Sequence, residues 1–275
     1  MQDLIDKAQR LAFTRLATAM DRRWNLEPFG NAPRASKAEY IKRFDVARAT
    51  EFPQIDELEE NLGFSIDRPW LDELALHTQI AIKRSDLAYP HGRVLYSLLR
   101  RYLADHPQPF VTVVETGTGR GFSAICLAKA MDDADAAGHV VSFDVLPHHH
   151  RIYWNCIDDC DGKKTRSELL QPWQALGSKV VFIQGDSLYQ LPRVGLARVH
   201  FAFIDAHHTK ENVLAEYDYI ASRQEPGDVI VFDDVTPGAF DGVVAAVDHI
   251  EGAGLYQITR LGISRQRAYA WGIRR

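Results

Sequence analysis

A chain of 275 residues, 46% hydrophobic and 25% charged, has apolar material for one large core or for one domain with an extension. Its formal net charge of -5 at pH 7 gives no general attraction to nucleic acid or to an anionic membrane surface, and no apolar run approaches the roughly 18–20 residues that span a bilayer. Three cysteines without a disulfide-like framework fit a reducing, cytoplasmic setting.

The first 85 residues read as helices. Leu4, Ile5, Ala8, Leu11, Ala12, Leu16 and Ala19 recur at helical spacing and make one apolar face, while Asp3 and Asp6 argue against a transit peptide. NLEPFGNAPRASK interrupts the pattern with prolines and glycine, KAEYIKRFDVARA resumes it, and a further amphipathic segment runs through PWLDELALHTQIAIK. AYPHGRVLYSLLRRYLADHP predicts another helix. Short runs rich in Val, Ile and Phe then alternate with helical patterns: FVTVVE, VVSFD, KVVFIQ, VHFAFID and DVIVFDD. Continuous apolar runs suit strands buried on both faces of a parallel sheet, and their alternation with helices predicts an α/β fold. GLYQITRLG and RQRAYAWGI close the chain as an antiparallel hairpin on one edge. The expected division is a helical region over 1–85 and a sheet domain over 86–275.

The five runs finish at or just before Glu115, Asp144, Asp186, Asp205 and the pair Asp233 and Asp234. Parallel strands end along one side of a sheet, and ligands bind in the crevice outside that side. A single acid there commonly caps the following helix. Five in succession point to a ligand with several hydroxyl or amino donors, a positive charge, or a metal. In the first turn, VVETGTGRGFSAICLAKA, Gly117, Gly119 and Gly121 bring the backbone close to a ligand ahead of a helix. The dinucleotide fingerprint needs a small residue where Phe122 stands, and Glu115 would repel a pyrophosphate. An ammonium and a sulfonium would be attracted instead; S-adenosylmethionine (SAM) carries both.

In this order and spacing, ETGTGRG, SFD, QGDS, FIDAHH and VFDDVTPG resemble the Rossmann-like class I SAM-dependent methyltransferases, in particular the metal-dependent small-molecule and sugar O-methyltransferases of antibiotic pathways. The resemblance implies a doubly wound, mostly parallel seven-stranded sheet with an antiparallel edge strand. The helical N-terminal extension would be a cap or a homo-oligomer contact. By the same resemblance, Glu115 and the loop through Thr116, Gly117, Gly119 and Gly121 hold the amino-acid end of the cofactor, with Ser123 also on the cofactor side. Asp144, an acceptor-only carboxylate, takes the ribose hydroxyls, and Asp186 and Ser187 lie near the adenine. Asp205, Asp233 and Asp234 would bind Mg²⁺, an all-oxygen set suited to a hard cation. His208 would be the base that removes the acceptor's hydroxyl proton beside Asp205, with Lys210 in reserve. The expected acceptor is a hydroxylated small molecule of sugar, natural-product or phenolic type, with no nucleic acid or membrane partner.

Other readings of the same residues are a nicotinamide-dependent oxidoreductase, a non-catalytic SAM-binding subunit and a metal-dependent hydroxylase-like relative. LPHHHRIYWNCIDDCDGKK also invites a zinc reading through His148, His149, His150, Cys156 and Cys160, although its C-x₃-C spacing is not that of a standard zinc knuckle. The long 147–178 connection reads as a lid, with Arg166 and Trp173 as substrate contacts. Tyr89 and His91 are expected to close over the cofactor.

Overall fold

The computed structural model describes residues 26–83, 87 and 89–275. The apolar stripe from Leu4 to Ala19 and the boundary near residue 85 lie outside them. Three helices come first: α1 (Lys37–Ala49), α2 (Pro53–Leu62) and α3 (Arg68–Thr78). Local chemistry sets their ends. Ser36 caps α1 by accepting the N–H of Glu39, a proline opens α2, and Gly63 closes it with a left-handed φ of 75°. Asp67 accepts the N–H of Trp70 at 2.9 Å to start α3. In α4 (His91–Asp105), Val94, Leu95, Leu98, Leu99 and Tyr102 recur at helical spacing and are buried.

The sheet domain then runs β1 (Val111–Thr116), α5 (Phe122–Asp133), β2 (Gly138–Asp144), β3 (Val180–Gln184), α6 (Ser187–Val194), β4 (Phe201–Ile204), α7 (Lys210–Ala221), β5 (Val229–Phe232), α8 (Asp241–Ala253), β6 (Tyr256–Ser264) and β7 (Arg267–Arg274). Its seven strands lie in the order β3-β2-β1-β4-β5-β7-β6. The first five are parallel, and β7 runs antiparallel to both β5 and β6. The expected hairpin thus forms one edge. The antiparallel strand β7 is inserted one place inside it, with β6 outermost.

Strand alternation divides the core. Val113, Phe203 and Val231 face the layer that contains α1 to α5, whereas Val114, Ala202 and Ile230 face α6, α7 and α8. The described N-terminal helices therefore share one core with the sheet. The order reverses between β1 and β4, which opens the crevice that binds ligands in such sheets. Register sets Glu115 beside Phe203 and Ile204 beside Phe232, so β1, β4 and β5 end level with one another.

The connection between β2 and β3 is packed rather than loose. Leu146, Ile152, Trp154, Cys156 and Leu169 form a small core of their own. Thr165 and Glu168 cap a short helical turn reciprocally. No helix among the described residues is long and apolar enough to cross a membrane.

Candidate active site

Gly117 has a φ of 91°, and a Cβ there would stand 2.4 Å from the carbonyl oxygen of Asp205. The turn after β1 therefore presses directly on the residue that ends β4. Gly119 is the opposite case, since a Cβ added there meets nothing within 4 Å. Gly121 ends the turn against Leu170. Glu115 is fully buried below this cradle. One of its oxygens, Oε2, accepts from Ser142, and Ser123 supplies a further hydroxyl bond. Its other oxygen, Oε1, has no hydrogen-bond partner. Burial outweighs the two hydroxyls and pushes Glu115 up to about 7.

Asp144 accepts the N–H of Leu146 at 2.7 Å through Oδ1 and the N–H of Gly119 through Oδ2. Burial raises its pKa against the pull of Arg166, whose Nη2 lies 3.7 Å from Oδ2. A carboxylate has about four acceptor sites, so room remains for hydroxyl donors. These features fit SAM: an orphaned buried acceptor for an ammonium, an open glycine cradle, and a carboxylate at the end of β2.

Thr116, Asp186 and Ser187 are engaged elsewhere. Thr116 alternates to the opposite face of β1 and donates to Glu216 at 3.2 Å. Ser187 donates to the other oxygen of Glu216. Asp186 caps α6 by accepting the N–H of Leu188 at 3.0 Å and lies 3.3 Å from His207. Glu216, on α7, escaped the sequence reading. Its only signal was an acid three places after buried Val213, on the apolar face of the helix. Burial lifts it to about 7.

At the other end of the crevice, Asp205, His208 and Asp234 each bring one ligand atom within 4.8 Å of the others. His208 Nε2 is 3.1 Å from Asp234 Oδ2, and this bond raises the imidazole's pKa despite its partial burial. Asp233 belongs to a different arrangement. It accepts Arg267 Nη1 at 3.0 and 2.9 Å, and the N–H of Asp234 at 2.7 Å. Arg267 also reaches Asp234 at 3.1 Å. The expected set of Asp205, Asp233 and Asp234 is thus brought together only in part: His208 joins it, and Asp233 is held by a guanidinium.

Burial pushes Asp205 well above the ordinary carboxylate range, and repulsion from Asp233 and Asp234 pushes it further. A bound cation would offset both that burial and that repulsion. Two carboxylates and an imidazole suit a divalent cation, and the imidazole extends the fit from Mg²⁺ toward Mn²⁺ and other first-row ions.

His91 is buried between the rings of Phe122 and Phe203, with centroids 5.0 and 5.7 Å away, and its Nδ1 stands 3.8 Å from Asp233. Tyr89 is buried and donates to Asp72. Arg166 and Trp173 are buried too, so Arg166 meets Asp144 rather than a substrate. The zinc reading finds no support in the geometry: Cys156 is buried, Cys160 is exposed, and His148 stacks on Phe182 at 4.8 Å.

A family model described as a methyltransferase domain matches residues 114–235. No curated protein sequence matches the chain. Among solved structures, the O-methyltransferase TomG of Streptomyces achromogenes, involved in tomaymycin synthesis and bound to SAM, is 18% identical. Its TM-score is 0.53, with 76% of this chain and 91% of that one covered. Cofactor-bound Rv0187 from MTB has the same TM-score of 0.53 at 23% identity, over 76% of this chain and 91% of its own. The Bacillus cereus O-methyltransferase in complex with SAH is 17% identical, with a TM-score of 0.52 over 93% of this chain and 100% of that one. Residues 114–235 are thus similar to a methyltransferase domain, and the chain has the Rossmann-like fold of these O-methyltransferases.

Proposed function

We propose that the protein transfers the methyl group of SAM to a hydroxyl of a small molecule, assisted by a divalent cation. The observation that carries this reading is the contact of Gly117 with the Asp205 backbone, which joins the glycine cradle to the acid cluster in one site. Glu115 and Asp144 hold the amino group and the ribose of SAM, whose sulfonium supplies an electrophilic methyl group. Asp205 and Asp234 would hold the cation, which would supply Lewis-acid lowering of the pKa of a hydroxyl beside it. His208 takes the hydroxyl proton at Nδ1 while Asp234 fixes its Nε2–H. The acceptor oxygen forms the new C–O bond as the C–S bond breaks, and the electron pair leaves on sulfur. A second reading makes His208 the third metal ligand, and the 4.8 Å grouping favours it.

Helix α1, Tyr89, Pro90 and Arg267 line a cavity of about 520 Å³, which supports the N-terminal region as a cap over the acceptor. All three cysteines are free thiols, in keeping with a cytoplasmic setting. Calorimetric titration with SAM, with NADH as control, tests the proposal. Micromolar SAM binding without NADH binding is expected; absence of SAM binding would sink it, and NADH binding would favour a dehydrogenase.

A further inference from the structure

A second cavity, of about 740 Å³, is lined by Phe29, Arg34, Arg43, Gln79, Ala81, Ile82, Lys83, Arg120 and Asn155. Four of these nine residues are cations and none is a carboxylate. Arg43 is paired with Glu39 at 3.1 Å. No carboxylate among the described residues lies within ion-pair distance of Arg34, Lys83 or Arg120. Asp159, which eases the charge of Arg120, is taken up by the N–H groups of Trp154 at 2.7 Å and Cys156 at 3.3 Å.

The cations are held in place. Arg120 donates to the carbonyls of Trp154 and Asn155 and lies over the ring of Phe29 at 5.2 Å. Arg34 gives its Nε to the carbonyl of Phe29 at 2.9 Å, which leaves its Nη groups for a ligand. Asn155 clamps the backbone next to Lys83, accepting the N–H of Ile82 and donating to its carbonyl, each at 3.1 Å. Local desolvation, then the charges of Arg267 and Arg120, outweigh the pull of Asp233 and Asp234 and make Lys83 hold its proton less tightly than a free lysine, although the side chain as a whole is exposed. An anion would reverse that.

The cavity adjoins both halves of the site. Arg120 sits within the glycine turn itself. Gln79 Nε2 lies 3.3 Å from His91 Nε2, and His91 in turn faces Asp233. Arg43 and Lys83 also line the cavity that reaches Arg267.

We propose that the methyl acceptor carries an anionic group, a carboxylate or a phosphate, seated against Arg34, Lys83 and Arg120 while its hydroxyl lies at the Asp205 end. This rests on the methyltransferase reading. The test uses full-length protein loaded with S-adenosylhomocysteine, whose own affinity is measured first. Two probe sets follow in calorimetry: 3,4-dihydroxybenzoate, 3,4-dihydroxybenzyl phosphate and neutral 3,4-dihydroxybenzamide; then glucuronate, glucose 6-phosphate and glucose.

In at least one set an anion is expected to bind tenfold or more tightly than its neutral counterpart, and the stronger anion tells carboxylate from phosphate. In an R34Q/K83Q variant, both positions being exposed, that preference should fall to within twofold with S-adenosylhomocysteine affinity unchanged. Tight S-adenosylhomocysteine binding with no anion preference in either set, or a preference that survives R34Q/K83Q, overturns the anionic acceptor and leaves the methyltransferase reading standing. Failure to bind S-adenosylhomocysteine removes both.

Discussion

Arg267 donates from one nitrogen to both oxygens of Asp233, in a pair whose side chains are only 8% and 2% exposed. It ties the first residue of β7 to the end of β5, so the antiparallel strand braces the acid cluster. The guanidinium is raised far above its ordinary range because the charges of Asp233 and Asp234 outweigh its burial. R267Q removes one partner of a buried pair, and the expected loss is about 3–5 kcal/mol of folding stability. D233N/R267Q should recover most of it, read by urea unfolding. An R267Q variant as stable as wild type would show that the pair braces nothing.

Asp144→Asn keeps the shape but loses the charge that accepts hydroxyls. SAM affinity should fall by about 1.5–3 kcal/mol, the range for hydrogen bonds to charged groups. The loss should appear in calorimetry, with acceptor KM little changed. A variant that binds SAM normally would take Asp144 out of the cofactor site.

Glu115 and Glu216 are each raised to about 7 from an ordinary 4.5. The folded state thus binds protons more tightly than the unfolded chain. This contribution is fully present below 4.5 and is lost as pH rises through 7. Ligand-free stability should therefore fall across that window, by up to about 1.4 kcal/mol per pH unit for each group. An ammonium near Glu115 favours the ionised form, so SAM affinity should rise with pH over the same window. E115Q should abolish that rise; a rise that persists would exclude Glu115 as its source.

The metal reading predicts that EDTA abolishes turnover and that Mg²⁺ or Mn²⁺ restores it. H208A separates the two roles of the imidazole. As base alone, its loss should cost about 10²–10⁴ in kcat with metal affinity intact. As a ligand, it should weaken metal binding as well. Methyl transfer by H208A at the wild-type rate would remove His208 from the chemistry.

The strand ends were legible because an apolar run closed by an acid is a local signal, and parallel topology brings such ends together. His208 was legible three places after Asp205. The fate of Asp233 was not, since Arg267 lies 34 residues away on a strand whose placement no local pattern fixes. Thr116 illustrates a different limit. Strand alternation turns it away from Glu115, toward an acid on α7 that a sequence motif does not pair with it. Arg166 read as a substrate contact within the long connection, yet its guanidinium stacks over Trp154 at 5.5 Å beneath Asp144. Cation-lined cavities also leave little trace in sequence, because Arg34, Lys83 and Arg120 come from three separate segments.

The contact between Gly117 and the Asp205 carbonyl also limits how the site can diversify. Any side chain at 117 would drive the cofactor turn away from the end of β4, and the two halves of the site would part together. A library randomised over 117–119 and selected for SAM binding should return glycine alone at 117. At 119, where space is open and φ is 54°, asparagine and aspartate should survive. Sequence can thus vary around the two cavities, but not at the joint between the glycine turn and the end of β4.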